Sequence, residues 1–269
     1  MDDQRRRFLK IAGLSVLGLG LGPVSNAAGG MEGASVMPSP EAKIGKRWAM
    51  VVDHKKCLKA KEGCKDCIAA CNLVHNIPEF DNPKDAVKWI WLEPYAHAFP
   101  GEEGKYTEAY FHDTMKGVPL PVLCNHCDNP PCVRVCPVKA TFRRDDGIVM
   151  MDYHRCIGCR FCMAACPYGA RSLNWRDPRG KRADGTPFIK NYNPEYPTRM
   201  RGVVEKCNFC FELLAKGKNP ACVDACKEKA LVFGDLEDAN SPVRELLAKN
   251  PTVRRKAHLG TQPQVYYIL

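Results

Sequence analysis

The chain has 269 residues, 45% of them apolar, a formal net charge of +10 and sixteen cysteines. That length and apolar share can bury a core without staples, and about 6% cysteine is below the density of small disulfide scaffolds, which excludes a cross-linked mini-domain. The basic excess alone would suit phosphate binding, but cysteines held as thiolates would supply negative charge that offsets much of it from within the chain.

The N-terminus reads Arg5-Arg6-Arg7-Phe8-Leu9-Lys10, then an apolar run from Ile11 to Leu21 and small residues at Ser25 and Ala27. This is the pattern of a twin-arginine signal peptide over residues 1–27, with cleavage expected after Ala27. The apolar run is shorter than the roughly 20 residues of a spanning helix, so the expectation is export. The mature protein would be periplasmic or otherwise extracytoplasmic, and held to the membrane through partners. Gly18, Gly20 and Gly22 fall in this segment and form no dinucleotide loop. Residues 28–45, rich in Gly, Ala, Ser and Pro without periodicity, read as a flexible tether.

A short apolar strand ending in Val52-Asp53 precedes the first cysteine group, Cys57, Cys64, Cys67 and Cys71. The run Val52-Asp53-His54-Lys55-Lys56-Cys57 aligns with Met151-Asp152-Tyr153-His154-Arg155-Cys156, an internal repeat. Between the first and second groups lies an insertion with an apolar patch, Trp89-Ile90-Trp91-Leu92, and a Gly- and Glu-rich loop at 100–105. The second group is Cys124, Cys127, Cys132 and Cys136. A strand at Ala140-Thr141-Phe142 follows, with Asp145-Asp146-Gly147 as a hairpin turn before the next strand. The third group is Cys156, Cys159, Cys162 and Cys166, followed by Pro167 and a strand at Ser172-Leu173-Asn174. Residues 171–206, rich in Pro, Asn, Arg and Tyr, read as an irregular surface excursion. The fourth group is Cys207, Cys210, Cys222 and Cys226, followed by a strand at Leu231-Val232-Phe233. In the tail, Ser241 as N-cap, Pro242, the stripe Val243, Leu246, Leu247 and the stop Asn250-Pro251 predict a helix. The end, Val265-Tyr266-Tyr267-Ile268-Leu269, is apolar enough to require a packing partner.

The third group has the spacing of the bacterial ferredoxin run, in which three cysteines wrap one cube and the fourth ligates its neighbour. Two-residue gaps let one tight loop, bent at Gly158, offer three sulfurs to three corners of a cube. Crossing the groups in this way yields four [4Fe-4S] sites. Cys124, Cys127 and Cys132 take Cys166, and Cys156, Cys159 and Cys162 take Cys136. Cys57, Cys64 and Cys67 take Cys226, and Cys207, Cys210 and Cys222 take Cys71. The fold expected is α+β, two nested bacterial-ferredoxin-like units with long loop insertions. The outer unit comprises 46–123 and 172–236, the inner unit 124–171, and 237–269 form a C-terminal helix and tail.

Structural zinc is the competing reading, since paired C-x2-C motifs also build zinc ribbons. The Cys-Pro steps at Cys136-Pro137 and Cys166-Pro167 and the lack of ribbon-like hairpins around each pair argue for iron–sulfur. No C-x-x-C-H is present, so the chain attaches no c-type haem. His126 and His154 lie near cysteines in sequence, but a lone histidine is more often structural than a ligand. No Ser/His/Asp or paired-carboxylate constellation is visible, so no catalytic site is expected. Arg134, Arg160, Phe161, Tyr168, Trp175, Lys206 and Phe209 flank the cysteines, where apolar groups would exclude water and cations would raise a potential.

At these residues the chain resembles the four-cluster ferredoxin-like subunits of membrane-bound redox complexes, the group that includes NrfC and the iron–sulfur subunit of polysulfide reductase. Within that group it looks most like the DsrO-type periplasmic subunits of the DsrMKJOP complex. The likeness rests on Cys124-Asn125-His126-Cys127-Asp128-Asn129-Pro130-Pro131-Cys132, on Arg155 to Pro167, on Asn174-Trp175-Arg176-Asp177-Pro178 and on Gly202-Val203-Val204-Glu205-Lys206-Cys207-Asn208-Phe209-Cys210. The resemblance implies an NrfD-like integral membrane partner (DsrP-like), a multihaem cytochrome c (DsrJ-like) and further DsrM- and DsrK-like subunits. It also implies electron traffic between the quinone pool and sulfur metabolism; the rival within the group is the iron–sulfur subunit of a molybdopterin reductase, an NrfC-like nitrite reductase or a hydrogenase complex.

Overall fold

The computed structural model describes residues 40–61, 63–100 and 118–269. The expected signal peptide, most of the tether and most of the Gly- and Glu-rich loop lie outside them.

Short elements dominate, because each cysteine loop interrupts regular hydrogen bonding every few residues. Strand β1 (Trp48–Asp53) runs into the one-turn helix α1 (His54–Cys57), and α2 (Asp66–Val74) follows. The first insertion builds β2 (Ile90–Pro94), α3 (Tyr95–Ala98) and β3 (Pro119–Leu123). Next come α4 (Pro131–Arg134), β4 (Thr141–Arg143), β5 (Val149–Met151), α5 (Phe161–Ala165) and β6 (Ser172–Leu173). After the second insertion come β7 (Val204–Glu205), α6 (Phe211–Leu214), α7 (Ala221–Asp224), β8 (Leu231–Asp235), α8 (Pro242–Lys249) and β9 (Val265–Ile268).

All six residues of β1 are buried, since it is the middle strand of a sheet ordered β8-β1-β9. Trp48, Met50 and Val52 face the main core, while Ala49 and Val51 pack with Val243 of α8 and Ile268 of β9. This is the two-residue alternation of a strand covered on both faces. β8 pairs antiparallel with β1, Trp48 opposite Asp235, so segments at opposite ends of the folded region close on each other. β9 pairs parallel with β1, Met50 opposite Val265, which places the apolar C-terminal residues in the body.

Between them, β4 and β5 form the hairpin with Thr141 opposite Met151. Gly147 in its turn has φ +83°, and a Cβ there would collide with the Arg47 guanidinium. Arg47 is clamped to Asp128 at 2.6 Å, and the Trp48 N–H donates to the Asp146 carbonyl at 3.1 Å, so the start of β1 is tied to the hairpin.

The insertions are more than loops. In the first, Trp89, Phe99, Leu120, Val122 and Leu123 are all core, and β2 and β3 pair antiparallel across it. The second is irregular, but Tyr196 and Arg199 are buried. Glu205 binds both insertions at once. Its Oε2 lies 2.6 Å from Arg199 Nη2 and accepts from Trp89 Nε1 at 3.0 Å, and its Oε1 accepts from Asn174 Nδ2.

α8 starts where Ser241 and Pro242 predict, but the Ser241 hydroxyl makes no capping bond. It is buried beneath Gly234 instead, without a hydrogen-bond partner. At the tether's described end, the Lys43 N–H donates to the Leu214 carbonyl at 2.8 Å.

Met50→Ala removes a fully buried side chain from the main core and is expected to cost about 2–5 kcal/mol. Anaerobic thermal denaturation followed by circular dichroism should show a midpoint lowered by ~5–15 °C. Ile44→Ala, at a side chain 85% exposed, should leave the midpoint unchanged.

Candidate metal centres

None of the sixteen thiols is in a disulfide. They gather into four groups, each drawing three cysteines from one sequence group and one from another.

Site I is a cavity of about 410 Å3 lined by Cys57, Cys64, Cys67 and Cys226. Asp53, at the end of β1, accepts the Lys56 N–H at 3.1 Å, which turns the chain into α1 and delivers Cys57. The first turn of α2 supplies Cys67, and the turn after α7 supplies Cys226, whose sulfur accepts the Ala230 N–H at 3.2 Å. Burial, with Cys57, Cys226 and Cys64 nearby, pushes the Cys67 thiol up to about 12. Cys64 is exposed, and Lys61, Lys65 and Lys227 share the rim.

Site II uses the next turn of α2. Cys71 lies with Cys210, Cys207 and Cys222, and all four are buried. Burial pushes Cys71, Cys210 and Cys222 well above the ordinary thiol value and Cys207 to about 12. The loop carrying Cys207 and Cys210 turns through two left-handed residues, Phe209 and Cys210, and the Asn208 side chain steadies it by accepting the Cys210 N–H at 2.8 Å. His75 Nδ1 lies 3.0 Å from the Cys71 carbonyl oxygen and 3.6 Å from its sulfur, and Nε2 lies 2.7 Å from Glu212 Oε1. Sequence reasoning missed this pair; its signal was only the four-residue step from Cys71 to His75 on one helix.

Site III is lined by Cys124, Cys127, Cys132 and Cys166 together with Tyr168 and Arg171. Burial and the neighbouring Cys124 drive the Cys127 thiol up to about 12, against the pull of a hydrogen bond from Thr261. Thr261 is also hydrogen-bonded to the Tyr168 hydroxyl, so the C-terminal stretch closes this site. Thr261 is remote in sequence from every cysteine group, and Arg171, although it follows Cys166 closely, read as the start of the surface excursion. His126 is not in the lining. Its Nδ1 accepts the Val149 N–H at 3.1 Å, and its ring stacks on Phe209 at 3.7 Å. Burial, then Lys206, Arg47 and Arg171, hold its pKa well below the usual imidazole range.

Site IV is lined by Cys136, Cys156, Cys159 and Cys162. Cys156 accepts the Val204 N–H at 3.5 Å. At the rim, Ile157 and Phe161 are exposed, and the Arg160 guanidinium lies 5.2 Å from the Trp175 ring centroid. His154 is exposed and far from a ligand role, its N–H donating to Asp152.

The sites follow one another. Cys67 of site I lies within electrostatic reach of Cys71 of site II, Cys207 of site II near Cys124 of site III, and Cys132 of site III near Cys162 of site IV. Sites II and III are enclosed, while I and IV reach the surface.

The donor chemistry fits a thiolate-ligated cluster. The cavities of sites I, III and IV are each closed by four sulfurs, and backbone amides point at those of Cys156, Cys207 and Cys226. Thiols raised by burial hold their protons until metal displaces them. Among the described residues no helix is long and apolar enough to cross a membrane.

Residues 115–186 and 181–236 match the model of the 4Fe-4S dicluster domain. The chain is 41% identical to the Hdr-like menaquinol oxidoreductase iron–sulfur subunit 1 of Archaeoglobus fulgidus, over 98% of this chain and 97% of that protein. It is 40% identical to the putative iron–sulfur subunit of dimethyl sulfoxide reductase from Halobacterium salinarum, over 82% and 78%. To the protein NrfC of Escherichia coli it is 34% identical, over 100% and 96%.

Gly158 has φ +69°, and a Cβ there would collide with the Gly202 carbonyl oxygen. Gly169 has φ +63° with nothing within 4 Å. Gly158→Ala and Gly169→Ala therefore share a left-handed strain of about 1 kcal/mol, and only the first adds a collision at site IV. Iron and acid-labile sulfide per chain should fall in Gly158→Ala and hold at the wild-type level in Gly169→Ala.

Proposed function

Because the chain belongs to the family of 4Fe-4S dicluster iron–sulfur subunits of oxidoreductase complexes, we propose that it is a non-catalytic electron-transfer subunit. In this reading it carries four [4Fe-4S] clusters in two nested ferredoxin-like units. The observation that supports this most is the regrouping of sixteen thiols into four crossed quartets in a row. Zinc sites built on paired C-x2-C motifs take their ligands two and two, not three and one. Each cluster supplies the capacity to accept and release one electron. The chain's residues do the rest: Cys67 and Cys71 fix two sites a helical turn apart, Tyr168 and Phe209 keep water out, and backbone amides support the sulfurs. Electrons would enter and leave at sites I and IV, where ligands or their neighbours are exposed.

The residue patterns shared with DsrO-type subunits support a finer assignment to a membrane-bound respiratory complex. Its partners would be an NrfD-like membrane subunit and a multihaem cytochrome c, and it would link the quinone pool to sulfite or sulfate metabolism. The name of the Archaeoglobus relative, a menaquinol oxidoreductase subunit, supports the quinone side of this reading. The twin-arginine pattern supports export in the folded state. The dimethyl sulfoxide reductase relative favours a second assignment, the iron–sulfur subunit of a molybdopterin reductase. Co-purifying subunits separate them: a multihaem cytochrome c supports the first, a molybdenum subunit without it the second.

Anaerobically purified protein should contain about 16 iron and about 16 acid-labile sulfides per chain. Cys166→Ser should alter the electron paramagnetic resonance signal of the cluster held by Cys124, Cys127 and Cys132. Zinc without sulfide sinks the electron-transfer reading, and loss of the cluster held by Cys156, Cys159 and Cys162 instead sinks the crossed ligation.

A further inference from the structure

Two buried cations stand inside the row of sites without a carboxylate partner among the described residues. Arg171 is 5% exposed and Lys206 1%. Arg171 forms part of the wall of site III. Its Nη1 donates to Thr141 Oγ1 at 3.1 Å and approaches the Met151 sulfur at 3.7 Å, while Nη2 is buried with no nitrogen or oxygen acceptor. The opposite charges it faces are sulfurs, Cys132 and Cys124 of site III and Cys162 of site IV, and it is hydrogen-bonded to Cys132 and Cys162, so it stands between these two sites. Lys206 Nζ donates only to carbonyls, those of Val149 and Cys207. Val149 lines site III and Cys207 belongs to site II, so the ammonium lies between the two. A third buried cation, Arg255, also without a carboxylate partner among the described residues, donates to the Ala98 carbonyl at 3.0 Å and lies behind the Tyr168 ring that lines site III.

A buried cation without a counterion is strongly destabilising. Arg47 and Arg199, also buried, each have a carboxylate at 2.6 Å. For Arg171 and Lys206 the remaining candidate anion is the thiolate-bound cluster itself. The sites differ in this respect. Site II also feels Lys206, at Cys207, but it faces the carboxylate of Glu212 as well, which adds negative potential at Cys207 and Cys210. The lysines at site I stand at a solvent-open rim beside Asp66 and Glu228, where water and salt screen them. Among the described residues, only site III has cations from two sides, both out of water.

We propose that Arg171 and Lys206 are positioning charges that make the site III cluster the highest-potential centre of the row. The inference rests on reading site III as a [4Fe-4S] centre. A cube held by Cys124, Cys127, Cys132 and Cys166 would pass from about −2 to about −3 on taking one electron from a neighbouring cluster, which would become less negative by the same one charge. An adjacent fixed cation favours the more negative form and so raises the potential. An electron entering at either end would then rest at site III, away from solvent oxidants.

The test is a redox titration of the purified protein followed by electron paramagnetic resonance, the site III signal being the one altered in Cys166→Ser. Arg171→Gln should lower the reduction equilibrium constant of that signal at least about tenfold, which is 59 mV for a one-electron couple. Arg171→Lys should restore most of it, Lys206→Met should lower it in the same direction, and the site I signal should stay in place. Full iron and sulfide in Arg171→Gln with an unmoved site III potential overturns the proposal, as does an equal shift of all signals. Should the glutamine variant lose the site III cluster, retention in Arg171→Lys supports the charge role. Loss from both assigns Arg171 a packing role and overturns it. Wild-type protein without iron and sulfide instead defeats the functional reading beneath.

Discussion

Burial of sulfur in groups of four is the constraint from which the rest of this structure follows. A thiol in an apolar cavity resists ionisation, as the raised values at Cys67, Cys127 and Cys207 record, while a metal–sulfur cluster requires thiolates. The surrounding chain must therefore exclude water and yet accommodate negative charge. It does so with amide N–H groups aimed at sulfurs and with cations set behind the cysteine loops, Arg171 and Lys206 foremost. Part of the basic formal charge is thereby accounted for inside the chain, without calling on a phosphate-bearing partner.

The cysteine arithmetic was readable in the sequence because ligand spacing is dictated by the size of what the loop must wrap. The strands at 140–142, 172–174 and 231–233, the turn at Asp145-Asp146-Gly147 and the tail helix were readable for the same local reason: turn chemistry and alternation act over a few residues. What could not be read depends on partners distant in sequence. His75 meets Glu212, Thr261 meets Tyr168, and Arg199 reaches back to the backbone of His75, each pair separated by far more chain than any local pattern spans. Ser241 shows the limit of even a local rule. Its position caps α8 by backbone geometry, but close packing under Gly234 takes its hydroxyl away from the helix amides.

The second insertion looked like a surface excursion because its composition is polar and irregular, but composition does not reveal a single buried hub. Glu205 is fully buried and satisfies Arg199, Trp89 and Asn174 together. A carboxylate removed from water needs this many partners to be tolerated. Because Glu205 stands two residues before Cys207, the hub anchors the approach to site II. Arg199 also donates to the backbone of His75 and Asn76, at the end of the helix that carries Cys71. The insertions therefore brace the two chain segments that site II joins.

Crossed ligation has a consequence for assembly. Site I needs Cys57 and Cys226, and β1 pairs with β8 across the same span, so neither the outer sheet nor its sites can form before most of the chain is present. Loop closure over so many residues is entropically unfavourable and is offset only when all contacts at the junction form together. A cluster bound across that junction stabilises the closed form by mass action, so cofactor insertion and folding should be one coupled event. Were the chain exported as proposed, it would have to cross the membrane already folded around its clusters. The same coupling explains why α2 carries ligands of two different sites: Cys67 and Cys71, one turn apart, lock sites I and II into a single cooperative unit.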